Sequence, residues 1–515
     1  MTLDAVGLEV MSHAFASIAE EMGLVLIHSA VSPNIRERRD CSAALFDADG
    51  EMIAQAAHIP VHLGALADAV AAVRALDPRP GDLFILNDPY TGGSHLPDLT
   101  LVGAIAIEGT VGGYSVIRAH HSDVGGAQPG SMPAGARDIF AEGVIVPPLR
   151  LTPEVERMVL ANVRTPGTRA ADLAAQRAAV ERGAEALAAL AGRYGWAATQ
   201  AAARDLLDYA ERATRAALRP ITARGLTAID WLEGDGVDDG DLPISVQVDI
   251  ADGVFHVDFT GTAPAARGNV NCPLAVARSA VLFVVRTLAP VDLPTNGGVE
   301  RAVRVTAPEG CLVHARYPSA VAAGNVETSQ RIADTVFLAL ANGGVAVPAQ
   351  GQGTMNNVTF GGVGAGSPTG GWTYYETVGG GQGASPGAPG PSGVHVGMSN
   401  TRNTPIEVLE LECPVRVRTY ALRHHSGGAG RWPGGDGVIR EFEALAPMDV
   451  SILAERRRHP PRGVAGGGPG TPGRSILNGV ALAPKVSAVL EPGDVLRLET
   501  PGGGACGKPE QGDAQ

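Results

Sequence analysis

The sequence predicts an α+β protein in several lobes: a mixed N-terminal lobe over 1–150, a helical insert over 151–225, and a β-rich part with glycine-rich loops over 226–515. Three observations predict it. The chain has 515 residues, more than one small core can organise. Apolar spacing is helical at 5–28 and 171–218 but alternates at 244–261. No fixed-period repeat runs through it, which argues against a propeller or solenoid.

The elements follow in order. "AVGLEVMSHAFASIAEEMGLVLIH" (5–28) repeats apolar residues at helical spacing. "CSAALFDADGEMIAQAAH" (41–58) reads as strand, Asp49-Gly50 turn, strand. A second helix is expected at 61–76, a strand at 82–88, and two strands within 99–123 around a Gly-Thr or Gly-Gly turn. From Leu151 to Arg224 glycine becomes sparse, and "ADLAAQRAAVERGAEALAALAGRYG" is the strongest helix, followed by "AATQAAARDLLDYAERATRAAL". After "GDGVDDGD" the pattern alternates, with one helix at 329–342. The last third is rich in glycine and proline, with short strands expected at 405–412 and 494–500.

Composition narrows the function. A formal net charge of −14 leaves no basic surface for nucleic acid. The only lysines are Lys485 and Lys508, so the one near-match to a phosphate loop is "PGGGACGKP". There Pro509 stands where Ser or Thr should hold magnesium, and ATP is therefore expected on another chain. No run of eighteen apolar residues predicts a membrane span. The N-terminus has early acids and no basic run, which does not fit a secretory signal. Cys41, Cys272, Cys311, Cys413 and Cys506 are far apart with no C-x-x-C pair, which suits a reducing cytoplasm.

The chemistry concentrates in "NDPYTGGSHLPD" (87–98). His95 and Asp98, close across a turn, can chelate one ion at little loop-closure cost. "AHHSDVGG" (119–126) adds His120, His121 and Asp123 at a strand end. Alternation turns the two histidines to opposite faces, so one of them ligates; the residues alone do not say which.

Taken together, several segments resemble the hydantoinase B/oxoprolinase family, the B-type subunits of ATP-dependent hydantoinases, oxoprolinases and lactamases, related to ketone carboxylase subunits. They are "SPNIRERRDCSAALFDADGEMIAQAAHIPVHLGAL", "GDLFILNDPYTGGSHLPDLTLV", "AHHSDVGGAQPGSM", "GNVETSQRIADTVFLAL", "GTMNNVTFGG", "YYETVGGGQGA" and "NTRNTPIEVLE". The resemblance implies one divalent metal, zinc or manganese or else iron, held by Asp40, His95, Asp98 and His120. It also implies ring opening of a hydantoin, 5-oxoproline or other lactam, with ATP and magnesium on an A-type partner subunit. A ketone carboxylase subunit is the alternative. On that footing Gly92-Gly93 folds the loop so that His95 and Asp98 face one ion. Asp123 and Glu327 become candidate catalytic groups, and Tyr90 and His121 candidate substrate contacts. Glu376 and Arg402 rank beside Glu327. Arg456-Arg457-Arg458 reads as a solvated charge run. The charge-poor glycine stretches at 376–403 and 424–437 suggest buried interfaces, hence a hetero-oligomer with two copies of each chain.

Overall fold

The structure, a computed structural model, describes residues 5–57, 59–290, 292–363 and 371–509. His58, the end of the predicted hairpin, lies outside them. Helix α1 (Ala5–Ser29) buries Met11, Phe15, Ile18, Met22 and Leu26, spaced three or four apart. By length and composition α1 could cross a membrane, yet 44% of its most apolar window is buried inside the protein. It packs as a core helix. After α2 (Pro33–Arg36) come β1 (Cys41–Asp47), β2 (Met52–Ala57), α3 (Ala65–Arg74), β3 (Leu83–Leu86), β4 (Asp98–Ile107), β5 (Thr110–His120) and β6 (Leu149–Arg150). The strands form a six-stranded antiparallel sheet ordered β2-β1-β5-β4-β3-β6. Two details differ from expectation. The helix predicted at 61–76 starts only at Ala65, because Pro60–His62 form a separate 3-10 turn ahead of Gly64. The β4–β5 turn is Glu108-Gly109, both left-handed (φ 50° and 78°), as a two-residue hairpin requires.

Helices α4 (Pro153–Ala161), α5 (Pro166–Tyr194) and α6 (Trp196–Leu218) follow. They lie on this sheet. Leu173, Val180, Leu187 and Leu206 share one hydrophobic cluster with Phe15, Leu45 and Leu101. The opposite sheet face packs on α3 through Phe46, Leu66, Val70 and Phe84.

A second sheet comprises β7 (Ala223–Glu233), β8 (Asp241–Ala251) and β9 (Val254–Asp258). After α7 (Leu274–Leu288) and α8 (Gly297–Glu300), β10 (Val303–Thr306) joins it parallel to β9, giving the order β10-β9-β8-β7. A π-turn over Gly324–Thr328 leads into α9 (Ser329–Asn342). Val246, Phe255, Val281, Val285, Val336 and Leu340 close this core.

The remaining elements are β11 (Asn357–Val363), β12 (Gly371–Glu376), α10 (Ile406–Glu412), β13 (Val415–Arg423), β14 (Gly437–Ala444), β15 (Met448–Leu453), β16 (Arg474–Leu477), β17 (Val480–Ala481), β18 (Lys485–Leu490) and β19 (Val495–Glu499). They make two sheets, β12-β11-β15-β18 and β13-β14-β19-β16-β17. Phe360, Val415, Phe442, Val450 and Leu496 lie in one cluster drawn from both. The strand expected at 405–412 is instead α10. Its Leu and Glu residues form helices better than strands, and Pro405 fixes the entry. The arginine run at 456–458 is not simply solvated: Arg456 is fully buried against Asp230 (3.0 Å) and Asp334 (2.6 Å).

The glycine-rich stretches pack against each other rather than offering a free surface. A Cβ on Gly434 would stand 2.0 Å from the Gly503 carbonyl, and one on Gly381 2.0 Å from the Gly435 carbonyl. One on Gly502 would stand 1.9 Å from the Ser426 carbonyl. Only glycine permits backbones this close. The phosphate-loop look-alike is part of the same packing, so its glycines cradle backbone.

Candidate metal centre

The centre forms where β4 begins and β5 ends. Asp98 pairs directly with His120 across the β4–β5 ladder, and His95 sits on the loop entering β4. That loop turns tightly: Gly92 has φ 95°, and a Cβ on Gly93 would meet the Asn87 carbonyl at 2.3 Å. The side chains of His95, Asp98 and His120 are all buried and converge. His95 Nε2 lies 3.2 Å from Asp98 Oδ1, His120 Nδ1 lies 3.3 Å from the same oxygen, and the two nitrogens are 3.2 Å apart. Three ligand atoms around a tetrahedral ion at roughly 2.0–2.1 Å are separated by about 3.3 Å. The triangle fits.

The second polar atoms of His95 and Asp98 are engaged, whereas His120 Nε2 is buried without a hydrogen-bond partner among the described residues. His95 Nδ1 lies 3.3 Å from the Ala322 carbonyl, to which it donates when protonated, leaving the Nε2 lone pair inward. Asp98 Oδ2 accepts from Ser94 and from His62 Nε2 at 3.2 Å, while Oδ1 is buried without a hydrogen-bond partner. Burial alone would raise the Asp98 pKa. The His95 and His62 imidazoles, the facing His120 and the hydrogen bond from His62 outweigh it and hold the carboxylate well below its usual range. Burial lowers His120, favouring the neutral, ligating imidazole. Two imidazoles and one carboxylate make a donor set that suits zinc, manganese or iron(II).

Asp40 stands outside this cluster. It is buried one residue before β1, its carbonyl accepts the His120 N–H at 3.0 Å, and its charge acts on His120. The structure thus brings together three of the four candidate ligands. Glu327 lies in the π-turn, a backbone feature frequent at functional sites. Its Oε1 accepts from the Met355 N–H (2.9 Å) and Asn357 Nδ2 (2.7 Å), while Oε2 is buried without a partner. Burial pushes its pKa up to about 8. Asn357 Oδ1 in turn accepts from the Tyr375 hydroxyl at 2.8 Å, and the Tyr375 ring stacks on His120 with centroids 4.5 Å apart.

The other candidates are engaged elsewhere. Asp123 ties its loop together, accepting from the Gly125, Gly130 and Arg164 N–H groups and pairing with the Arg164 guanidinium at 2.9 Å. His121 turns away from His120, with Nε2 2.8 Å from Gln176 Oε1, and burial lowers its pKa to about 4. The Tyr90 hydroxyl donates to the Ser319 carbonyl at 2.7 Å, and Tyr90 lines a separate cavity of about 620 Å³. Glu376 pairs with buried Arg440 at 3.0 Å, and Arg402 is exposed.

Sequence reasoning missed His62, Tyr375 and Arg38 as parts of the centre. His62 was hidden by reading 61–76 as one helix; in the 3-10 turn its Nδ1 meets Ser42 Oγ at 3.0 Å and its Nε2 meets Asp98. Ser, His and Asp here are the residue types of a hydrolytic triad, but Ser42 is buried within β1 and lines none of the larger cavities. Arg38 is fully buried; its guanidinium donates to Asn34, Thr377, Thr401 and the Tyr375 and Arg402 carbonyls. It lies 4.8 Å over the Tyr375 ring, and Asn34 donates to the His120 carbonyl at 2.6 Å. Arg38 therefore locks both neighbours of His120. His62→Ala is expected to weaken metal binding by roughly 10–100-fold, because Asp98 loses the donor that aims it. Competition with a chromophoric chelator checks this, and an unchanged affinity would remove His62 from the centre.

Known proteins share both this sequence and this fold. A family model described as hydantoinase B/oxoprolinase matches residues 4–509. Uncharacterized protein MJ0963 of Methanocaldococcus jannaschii is 38% identical over 99% of this chain and 92% of its own length. The 5-oxoprolinase 1 of Arabidopsis thaliana is 37% identical over 98% of this chain, which spans only 42% of that longer protein. The putative B subunit of a D-/L-hydantoinase from Pseudomonas sp. (strain NS671) is 30% identical, with 98% and 90% covered. The crystal structure of an ATP-dependent caprolactamase from Pseudomonas jessenii superposes with a TM-score of 0.90 at 28% identity, covering 99% of this chain and 92% of that one. An acetone carboxylase, at 0.88 but 16% identity over 98% of this chain and 75% of that one, shares the fold.

Proposed function

This chain belongs to the hydantoinase B/oxoprolinase family, and from that premise we propose that it is the metal-binding B-type subunit of an ATP-dependent cyclic-amide hydrolase. Its substrate would be 5-oxoproline, a hydantoin or another lactam. The observation that carries the proposal is the triangle of His95 Nε2, Asp98 Oδ1 and His120 Nδ1, with edges of 3.2–3.3 Å. Residues of that kind in a buried pocket suit activation of water against a resistant carbonyl. A divalent ion held there supplies Lewis-acid polarisation and lowers the pKa of water. The chain's own residues do the rest. The Ala322 carbonyl and His62 fix the ligand orientations. Glu327, with its pKa near 8, holds a proton at neutral pH and is the candidate acid for the ring nitrogen. Asn357 and Tyr375 connect its carboxyl to the stacked face of His120.

Activation by ATP belongs, on this reading, to an A-type partner. The one phosphate-loop look-alike is consumed by glycine packing, and the hydantoinase relative is itself named as the B component of a larger enzyme. We place the assembly, with two copies of each chain, in the cytoplasm, where the five unpaired buried cysteines stay reduced. Ketone carboxylation has only fold-level likeness behind it. The test is reconstitution with the A-type subunit. Ring opening of 5-oxoproline or hydantoin is expected to need both chains and ATP, with ADP formed in step. Ring opening by this chain alone, at a rate that partner and ATP leave unchanged, would refute the proposal.

A further inference from the structure

Beside the metal centre, α5, β12 and residues 32–34 enclose a cavity of about 540 Å³. Its wall includes Tyr375, whose ring stacks on His120, and Asn34, which donates to the His120 carbonyl. The 29-residue α5 opens into it N-terminus first, through Thr165, Gly167 and Thr168. Thr165 occupies the cap position but makes no side-chain cap bond, and its Oγ1 is buried without a partner. A Cβ on Gly167 would meet nothing within 4 Å, so the first turn lies open. The Gly167 and Thr168 N–H groups and the positive end of the helix dipole are therefore presented without a side-chain cap, since Pro166 has no N–H and the Arg169 N–H bonds the Thr165 carbonyl.

Two further groups in the wall point to a ligand. Ser32 is 1% exposed and Arg169 2% exposed, yet Ser32 Oγ and Arg169 Nε have no hydrogen-bond partner among the described residues. The rest of Arg169 is anchored: Nη1 donates to Ser122 Oγ at 2.9 Å and Nη2 pairs with Asp172 Oδ2 at 3.1 Å. Asp172 Oδ1 is taken by the N–H groups of Val31 and Ser32. Asp172 is thus engaged by Arg169 and two N–H groups, and the one carboxylate in the wall, Glu412, is solvent-exposed, while the Ser32 and Arg169 donors remain over. Buried donors left unmade are costly, and a cluster of them at a helix N-terminus matches an anion.

We infer that this cavity is an oxyanion-binding site, taking the carboxylate or phosphoryl group of the small molecule processed at the adjoining His95–Asp98–His120 centre. The inference rests on the proposed hydrolase reading for the identity of that molecule. Carboxylate and phosphoryl oxygens share the chemistry the wall asks for: several acceptor lone pairs and negative charge.

Calorimetric titration of the full-length chain with 5-oxoproline and, separately, with inorganic phosphate tests it, repeated on Ser32→Ala and Thr165→Val. Neither hydroxyl makes a bond in the free protein, so both variants should melt at or above the wild-type temperature. Each is expected to weaken anion binding about tenfold, since a hydrogen bond to a charged group is lost. Hydroxyl-dependent binding of 5-oxoproline identifies the carboxylate as the bound group; hydroxyl-dependent binding of phosphate alone identifies the phosphoryl group. Either supports the site. No binding of either probe, or binding that neither variant changes, overturns it. His95→Ala separates the two claims, because it should end ring opening while leaving the anion affinity intact. Hydroxyl-dependent binding in a complex that opens no ring would sink the hydrolase reading and leave the site standing.

Discussion

Asp98→Ala is expected to abolish ring opening in the reconstituted complex while the A-type subunit is still pulled down. Asp98 is the one carboxylate of the triangle: its Oδ1 faces His95 and His120, and its Oδ2 accepts from Ser94 and His62. Removing it leaves three buried imidazoles without the carboxylate that faces them directly. Structural metal sites bind with roughly 10–16 kcal/mol shared over about four ligands, so losing one ligand should cost affinity at least about a hundredfold. Asp98→Asn keeps the shape and the acceptor oxygen, and it should retain more of the fold than Asp98→Ala but little more of the activity. Near-wild-type turnover in Asp98→Ala, measured beside the pull-down, would detach the centre from the reaction.

Gly503→Ala should be among the most damaging single methyls in the chain's C-terminal part. Its Cβ would stand 2.0 Å from the Gln382 carbonyl oxygen, 2.3 Å from the Gln382 carbonyl carbon and 2.7 Å from the Gly383 nitrogen, all backbone atoms rather than the end of a flexible side chain. Forced overpacking of this kind costs on the order of 3 kcal/mol or more. The expected result is a lower thermal midpoint and loss of soluble yield. Gly479→Ala is the control: its φ is 83°, but nothing lies within 4 Å of the added Cβ, so only the turn strain of about 1 kcal/mol remains. Equal effects of the two substitutions, compared by differential scanning calorimetry, would show that the close glycine packing is not what holds these segments together.

How much of this was legible in the sequence depended on how local the determinant was. His95 and Asp98 were readable from one tight loop, and a ligand at the His120-His121 strand end was readable too, but the choice of His120 came from the family resemblance rather than from the residues. The α1 and α5 helices were readable from spacing alone. His62 was not, because its position depends on a 3-10 turn before Gly64 that interrupts an otherwise helical run. Tyr375 stacks on His120, and Arg38 covers Tyr375, from elements far apart in the chain, and nothing local encodes those contacts. The segment at 405–412 alternates like a strand, yet propensity and Pro405 made it helical. The burial of Arg456 needed Asp230 and Asp334 from two distant elements. The glycine stretches read as surface because glycine carries no side-chain signal of what lies against it.

The central claim is that His95, Asp98 and His120 together hold a divalent ion, and elemental analysis of the purified chain tests it most directly. Wild type and His121→Ala should carry a stoichiometric zinc, manganese or iron, because His121 is turned toward Gln176. His95→Ala, Asp98→Ala and His120→Ala should each be purified with little or none. Metal retained at wild-type level in all three triad variants would contradict the account.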